Sequence, residues 1–299
     1  MRVSITHTTH LSYGADVVEG VMDARLGPRS DADQRWEQFD LRAKPFGAIR
    51  RYYDGFNNTA HLITLARPHD RVELTSESIV ETLLDDPFRL PTALPAPLGP
   101  SELADYLTPS ATVPADPQLA AMAAPFMPAG PADIFESVRG MMELVYRGFT
   151  YEQDVTTVAT TVPEVLKGRI GVCQDFAHVL IGLCRAIHVP ARYVSGYIVN
   201  RRPPSAQSQT LGTMTQSQTI GGSTGPSRGA GASHAWVEAF TPTHGWRGFD
   251  PTNNLLASTY HVKMAIGRDY NDVAPTRGTF RGNAEEKLSV EVVTRALDE

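Results

Sequence analysis

The stretch from Arg169 to Tyr197, RIGVCQDFAHVLIGLCRAIHVPARYVSGY, limits what this chain can fold into more than any other. Phe176, Ala177, Leu180, Leu183, Cys184 and Ile187 fall at i, i+1, i+4, i+7, i+8 and i+11. That 3.6-residue period predicts a buried helix. Cys173 opens it, just after Gly171 and Val172, and Pro190 closes it. Ala191 to Tyr197 then reads as a short strand.

A thiol at a helix N-terminus is chemically distinctive. The unpaired N–H groups and the positive end of the dipole favour thiolate over thiol. The same N–H groups can hold a negative oxygen developing beside the sulfur. A nucleophile also needs a base, and the base needs an orienting partner. Two further segments offer them: SHAWVEAF with His234, and GWRGFDPTNN with Asp250.

These two segments read as a hairpin. His234 to Phe240 is one strand, the turn chemistry lies in Thr241 to Gly245, and Trp246 to Asp250 returns until Pro251 stops it. If Phe240 pairs with Trp246, Trp236 faces Asp250 and His234 is its diagonal neighbour. If the register tightens by one step, His234 and Asp250 stand directly opposite. In both registers the two side chains share a face, because the strand period is two. A carboxylate beside an imidazole sets its tautomer and supports its charged form.

The four motifs GVCQDFAH, PARYVSGY, SHAWVEAF and GWRGFDPTN occur in this order, within roughly residues 149–254. Together they resemble the transglutaminase-like superfamily, in its bacterial cysteine-protease-like branch. The resemblance implies an α+β fold with a papain-like core, in which Cys173, His234 and Asp250 form a catalytic triad and no cofactor is needed. HTTHLSYG and YYDGFNNTAHL near the N-terminus resemble the β-rich domain that accompanies this branch. Two family features differ here. Animal crosslinking transglutaminases carry a Trp a few dozen residues before the Cys, whereas here no Trp lies between Trp36 and Trp236. Lys167 stands where papain-type enzymes place a Gln, six residues before Cys173, so the second oxyanion donor is unassigned.

Composition narrows the partners. At 299 residues, 41% hydrophobic and 20% charged, the chain has room for two modest domains. A net charge of −6 offers nothing for nucleic acid. No apolar run reaches the ~18 residues that span a bilayer, so no membrane partner is expected. The N-terminus MRVSITHTTHLSYG alternates like a strand and lacks an apolar leader, which points to the cytoplasm. The two cysteines, Cys173 and Cys184, lie on one helix about 16 Å apart along its axis, too far for a disulfide. Cys184 reads as a buried hydrophobe.

In chain order, residues 1–86 predict a small all-β sandwich domain, from six candidate strands separated by turn signals. Residues 87–130 read as a Pro-rich linker: 87–131 hold eleven of the chain's 22 prolines, leaving room only for short helices at Ser101–Leu107 and Gln118–Ala124. Residues 131–299 are assigned to the catalytic domain. Its first helix repeats the same stripe from Ile134 to Val145, Val162–Lys167 is a short helix, 255–267 carries little pattern, and Leu288–Ala296 reads as a last strand. Within it, 201–233 is a flexible low-complexity loop: 27 of its 33 residues are Gly, Pro, Ser, Thr, Gln or Ala. It ends beside His234, where it would act as a flap or be a neutral insertion.

Other polar residues draw plainer expectations. Asp175, on the first helical turn, caps or complements the dipole. His178 and His188 read as polar fillers or satisfied core imidazoles of the helix, and His7, His10, His61, His69 and His261 show no ligand spacing. Cys184 and His188 are a possible i, i+4 pair, but no second pair completes a metal site. The expected activity is acyl transfer on a peptide, protein or other amide through a thioester. Water as acceptor would make it a protease or amidase, and an amine would make it a transglutaminase. A non-catalytic binding module on the same fold is the alternative of another class.

Overall fold

The computed structural model describes residues 1–199 and 233–297. Six strands form the N-terminal part: β1 (Arg2–Val17), β2 (Glu19–Ala24), β3 (Gln34–Lys44), β4 (Ala48–Tyr53), β5 (Thr59–Leu65) and β6 (His69–Thr82). Helices α1 (Pro100–Leu107), α2 (Pro117–Ala123) and α3 (Ile134–Gly148) follow, then β7 (Thr150–Tyr151), α4 (Val162–Gly168), β8 (Ile170–Gly171) and α5 (Cys173–Ala186). The remainder runs β9 (Ala191–Ile198), β10 (His234–Thr241), β11 (Gly245–Asp250), β12 (Leu255–Leu256), β13 (His261–Gly267), α6 (Tyr270–Val273), β14 (Thr276–Arg281) and β15 (Glu286–Ala296). The low-complexity loop predicted at 201–233 lies, apart from Ser233, outside the described residues.

The strands form two four-stranded sheets, β15-β1-β6-β3 and β14-β2-β5-β4, and a five-stranded antiparallel sheet, β12-β11-β10-β9-β13. The four-stranded sheets pack face to face around Leu11, Val72 and Leu74 from one, and Met22, Ala24, Ile63 and Leu65 from the other. This is the expected sandwich, with one correction to the domain division. β14 and β15 belong to the sandwich rather than to the papain-like core, pairing with β2 and β1 respectively. The cause is an open edge: β6 covers one side of β1, and β15 pairs along the other from Val3–Ala296 to Tyr13–Glu286.

The Pro-rich segment also needs correcting. Its second half is core, not surface linker: Val113, Leu119 and Ala123 are buried in the cluster around α5. Proline ends helices but also starts them, and α2 opens on Pro117 behind an Asp116 N-cap that accepts from the Gln118 N–H. α2 lies so close to α5 that a Cβ on Gly182 would sit 2.6 Å from Leu119 Cδ1.

α5 is buried on nearly every side rather than along one stripe. Phe176, Leu180, Leu183 and Cys184 share a cluster with Ala191, Ala235, Val237 and Phe249 of the central sheet, and α2, α3 and α4 contribute to the same cluster. Its buried Arg185 donates to the carbonyls of Tyr106 and Arg268 at 3.2 and 2.7 Å, which offsets part of the cost of burying its charge.

The sandwich docks on the edge strand of the central sheet, β13, which the sequence reading missed. Two amide side chains close its outward backbone groups. Gln34 accepts from the Lys263 N–H and donates to the Lys263 carbonyl, both at 2.8 Å. Asn58 does the same for Ile266, again at 2.8 Å in both directions. Val3, Ile5 and Val80 pack on Tyr197, Val262 and Met264 beside them. An edge that would otherwise template a further strand is thereby covered.

Candidate active site

Cys173 begins α5, with Val172 at the N-cap in extended conformation. The first-turn N–H groups of a helix have no intrahelical acceptor. Asp175 fixes this end: its Oδ2 accepts the Val172 N–H at 2.8 Å and the Thr156 hydroxyl at 2.7 Å. Gln174 ties down the same loop through its bond to the Val158 carbonyl at 3.3 Å. Asp175 therefore has the capping role expected of it. Cys173 is half-buried, whereas Cys184 is fully buried, and burial pushes the Cys184 thiol up to about 12.

The β10–β11 hairpin adopts the first of the two registers, with Phe240 opposite Trp246 and Val237 opposite Phe249. That places His234 and Asp250 on one face as diagonal neighbours, and His234 Nε2 meets Asp250 Oδ2 at 2.9 Å. His234 is 2% exposed and Asp250 0%. His234 stands opposite Gly196 of β9, where the backbone is crowded: a Cβ on Gly196 would meet the Val262 carbonyl oxygen at 2.1 Å and Trp236 Cη2 at 2.5 Å.

The electrostatics of the pair follow from this burial. Desolvation works against a charged His234, but the Asp250 carboxylate outweighs it by charge and hydrogen bond, and Cys173 adds to the rise, pushing the imidazole up to about 10. Burial equally opposes a charged Asp250, yet His234 and His261 hold it well below the usual carboxylate range. Among the described residues, His234 Nδ1 is buried and meets no partner at full hydrogen-bond geometry. With Nε2 committed to Asp250, Nδ1 is the nitrogen left for Cys173. Contacts of this kind are often long in a free enzyme and tighten once substrate is bound.

Asp250 is itself held by the turn that follows it. Its Oδ1 accepts the backbone N–H groups of Thr252 and Asn253 at 3.0 and 3.2 Å, and its Oδ2 accepts the Asn253 amide at 2.8 Å. The motif GFDPTNN carries the signal for Asn253, three residues past an Asp at a strand end. His261 Nε2 also reaches Asp250 Oδ2, at 3.5 Å. Sequence spacing gave no hint of His261, because its place beside Asp250 depends on β13 lying next to β9.

Lys167 is exposed near the end of α4. His178 is buried in α5, its Nε2 accepting the Tyr270 N–H at 3.1 Å, while burial lowers it to about 4. His188 is not in the helix as expected: it is exposed just beyond it, in the left-handed region with φ 58°. Among the described residues no group of three or more His, Cys, Asp or Glu is disposed to hold a metal ion, and no helix is long and apolar enough to cross a membrane.

Comparison with known proteins agrees with the motifs. Residues 121–251 match the model of the transglutaminase-like superfamily, and residues 3–81 match that of the bacterial transglutaminase-like N-terminal region. The uncharacterized protein Rv2569c of Mycobacterium tuberculosis is 33% identical, over 98% of this chain and 92% of its own length. ML0607 of Mycobacterium leprae is 29% identical, over 98% of this chain and 99% of its own. A solved structure of a candidate cysteine protease from Cytophaga hutchinsonii shares the fold at a TM-score of 0.72 with 22% identity, covering all of this chain and 92% of that one. With both models matched in chain order and a third of its residues shared with a near full-length relative, the chain belongs to the transglutaminase-like superfamily.

Proposed function

We propose that the chain is an enzyme that transfers acyl groups from amide bonds through a thioester on Cys173, with water as the usual acceptor. Its substrate is then a peptide, protein or other amide, and its action that of a protease or amidase. The supporting observation is the buried His234, held by Asp250 on Nε2 and left with an open Nδ1 for the thiol that starts α5.

Each step is assigned to a group of the candidate site. The Cys173 sulfur attacks the carbonyl carbon while the α5 N-terminus faces the developing oxyanion. The C–N bond then breaks and the amine leaves with a proton from His234 Nδ1. Neutral His234 takes a proton from water, which attacks the thioester and releases the acid and the Cys173 sulfur. Asp250 stays ionised and keeps the ring oriented throughout.

A thiol-directed amide mimic, 2-chloroacetamidine, tests this when its adduct is located by mass spectrometry. Cys173 should react faster than a cysteine in an unstructured peptide, and His234→Ala should remove the advantage. Equal rates in all three would end the proposal. A fluorescent primary amine identifies the acceptor: its incorporation into casein in place of hydrolysis would reassign the enzyme to amine transfer.

A further inference from the structure

Asp250 Oδ2 carries more donors than a triad requires. Besides His234 Nε2 at 2.9 Å and the Asn253 amide at 2.8 Å, the His261 imidazole places Nε2 3.5 Å from the same oxygen. His261 opens β13 and is 6% exposed. Its Nδ1 accepts the Ser258 backbone N–H at 3.4 Å, which puts the ring proton on Nε2, toward Asp250. Both imidazoles share one platform, since Trp236 stacks on His234 at 6.1 Å and stands edge-on to His261 at 5.2 Å. Among the described residues, the titratable groups facing His261 are Asp250 from β11 and, across that carboxylate, His234 from β10. Ile198 of β9 is its ladder partner.

A general acid must give its proton away, and it works best when its pKa lies near the operating pH. Asp250 pulls the other way, because it holds the proton on His234 strongly. Each extra donor on the carboxylate stabilises its charge and weakens that hold.

We infer that His261 is a positioning residue that acts through Asp250: its Nε2–H shares Oδ2 with His234, restrains the carboxylate and tempers it, so that His234 can release its proton to the leaving amine. The inference rests on the acyl-transfer reading proposed above. His261 keeps its own proton throughout, and the proton that leaves with the amine comes from His234.

The test compares the wild-type chain with His261→Phe, which keeps a ring and loses the donor, and with His261→Gln, which keeps a donor. The readouts are the pH profile of Cys173 alkylation by iodoacetamide and the NMR titration of the ¹⁵N-labelled His234 ring. In His261→Phe the alkaline limb, where His234 loses its proton, should move up by roughly 0.7 pH, a fivefold change matching one ordinary hydrogen bond. His261→Gln should keep the wild-type profile. A limb that stays in place in a folded His261→Phe, or moves equally in His261→Gln, overturns the inference and leaves the acyl-transfer reading standing. Should His261→Phe fail to fold, His261→Met carries the same expectation. A wild-type profile with no imidazole-dependent limb overturns both.

Discussion

Asp250→Asn removes one charge and turns one acceptor oxygen into a donor. Whichever way the new amide is set, it meets donors. On one side are the Thr252 and Asn253 N–H groups, and on the other His234 Nε2, His261 Nε2 and Asn253 Nδ2. At least two donors then lose their acceptor, at about 1–3 kcal/mol each, so the variant should lose at least roughly 2–6 kcal/mol of stability. There is also an electrostatic effect. Burial disfavours the charged ring, but the Asp250 charge and hydrogen bond outweigh it and push His234 up from 6.5 to about 10. Without the carboxylate, burial prevails and the ring is neutral near pH 7. Turnover of amides should fall by about 10² to 10⁴. The assay is Cys173 alkylation by iodoacetamide at pH 6, alongside urea unfolding. We expect the alkylation rate to drop at least about tenfold, as Cys173 loses its imidazolium partner. A folded variant that alkylates at the wild-type rate would show that Asp250 does not set the state of His234.

Three further outcomes are expected. Iodoacetamide should modify Cys173 and spare Cys184 in the native protein, as intact mass and peptide mapping will show, because Cys184 is fully buried with its thiol raised to about 12; equal modification of both would contradict this. Gln34→Ala leaves the Lys263 N–H without an acceptor and takes one donor from the Lys263 and Arg29 carbonyls, and should cost about 1–3 kcal/mol in urea unfolding; a loss within measurement error would mean that the amide clasp does not hold the sandwich to β13. Glu238, buried between Lys263 and Arg192, is lowered from 4.5 to about 2, with burial opposing the two cations and losing. Its contribution to stability is therefore present above pH 4.5 and lost as pH falls toward 2, and Glu238→Gln should flatten the acid limb of stability measured by denaturant titration.

The convergence of Cys173, His234 and Asp250 was legible because each sits in a short local motif. The stripe from Phe176 to Ile187 announces α5 and puts Cys173 at its start. The hairpin turn at 241–245 and the period of two put His234 and Asp250 on one face in either register, so even an undecided register led to the right pair. The missed parts all depend on contacts distant in sequence. β13, HVKMAIG, is buried at every position, so its sequence does not alternate, and its one charged residue, Lys263, is neutralised by Asp31, Asp33 and Glu238 from other elements. β15 read correctly as a strand, yet nothing within 286–296 says that its partner is β1 at the opposite end of the chain. His261 combines both problems: it belongs to a strand without a visible period, and its neighbour Asp250 is brought to it only by the order β11-β10-β9-β13. Residues that react can be recognised from their own flanks, because a nucleophile, a base and a carboxylate each need a particular local backbone. Residues that adjust the reactivity of those groups need only to be near them, and any element the topology delivers can supply such a side chain. Further groups of this kind around Cys173 are therefore to be sought along β9, β13 and the 152–161 loop, not in the motifs that contain the triad.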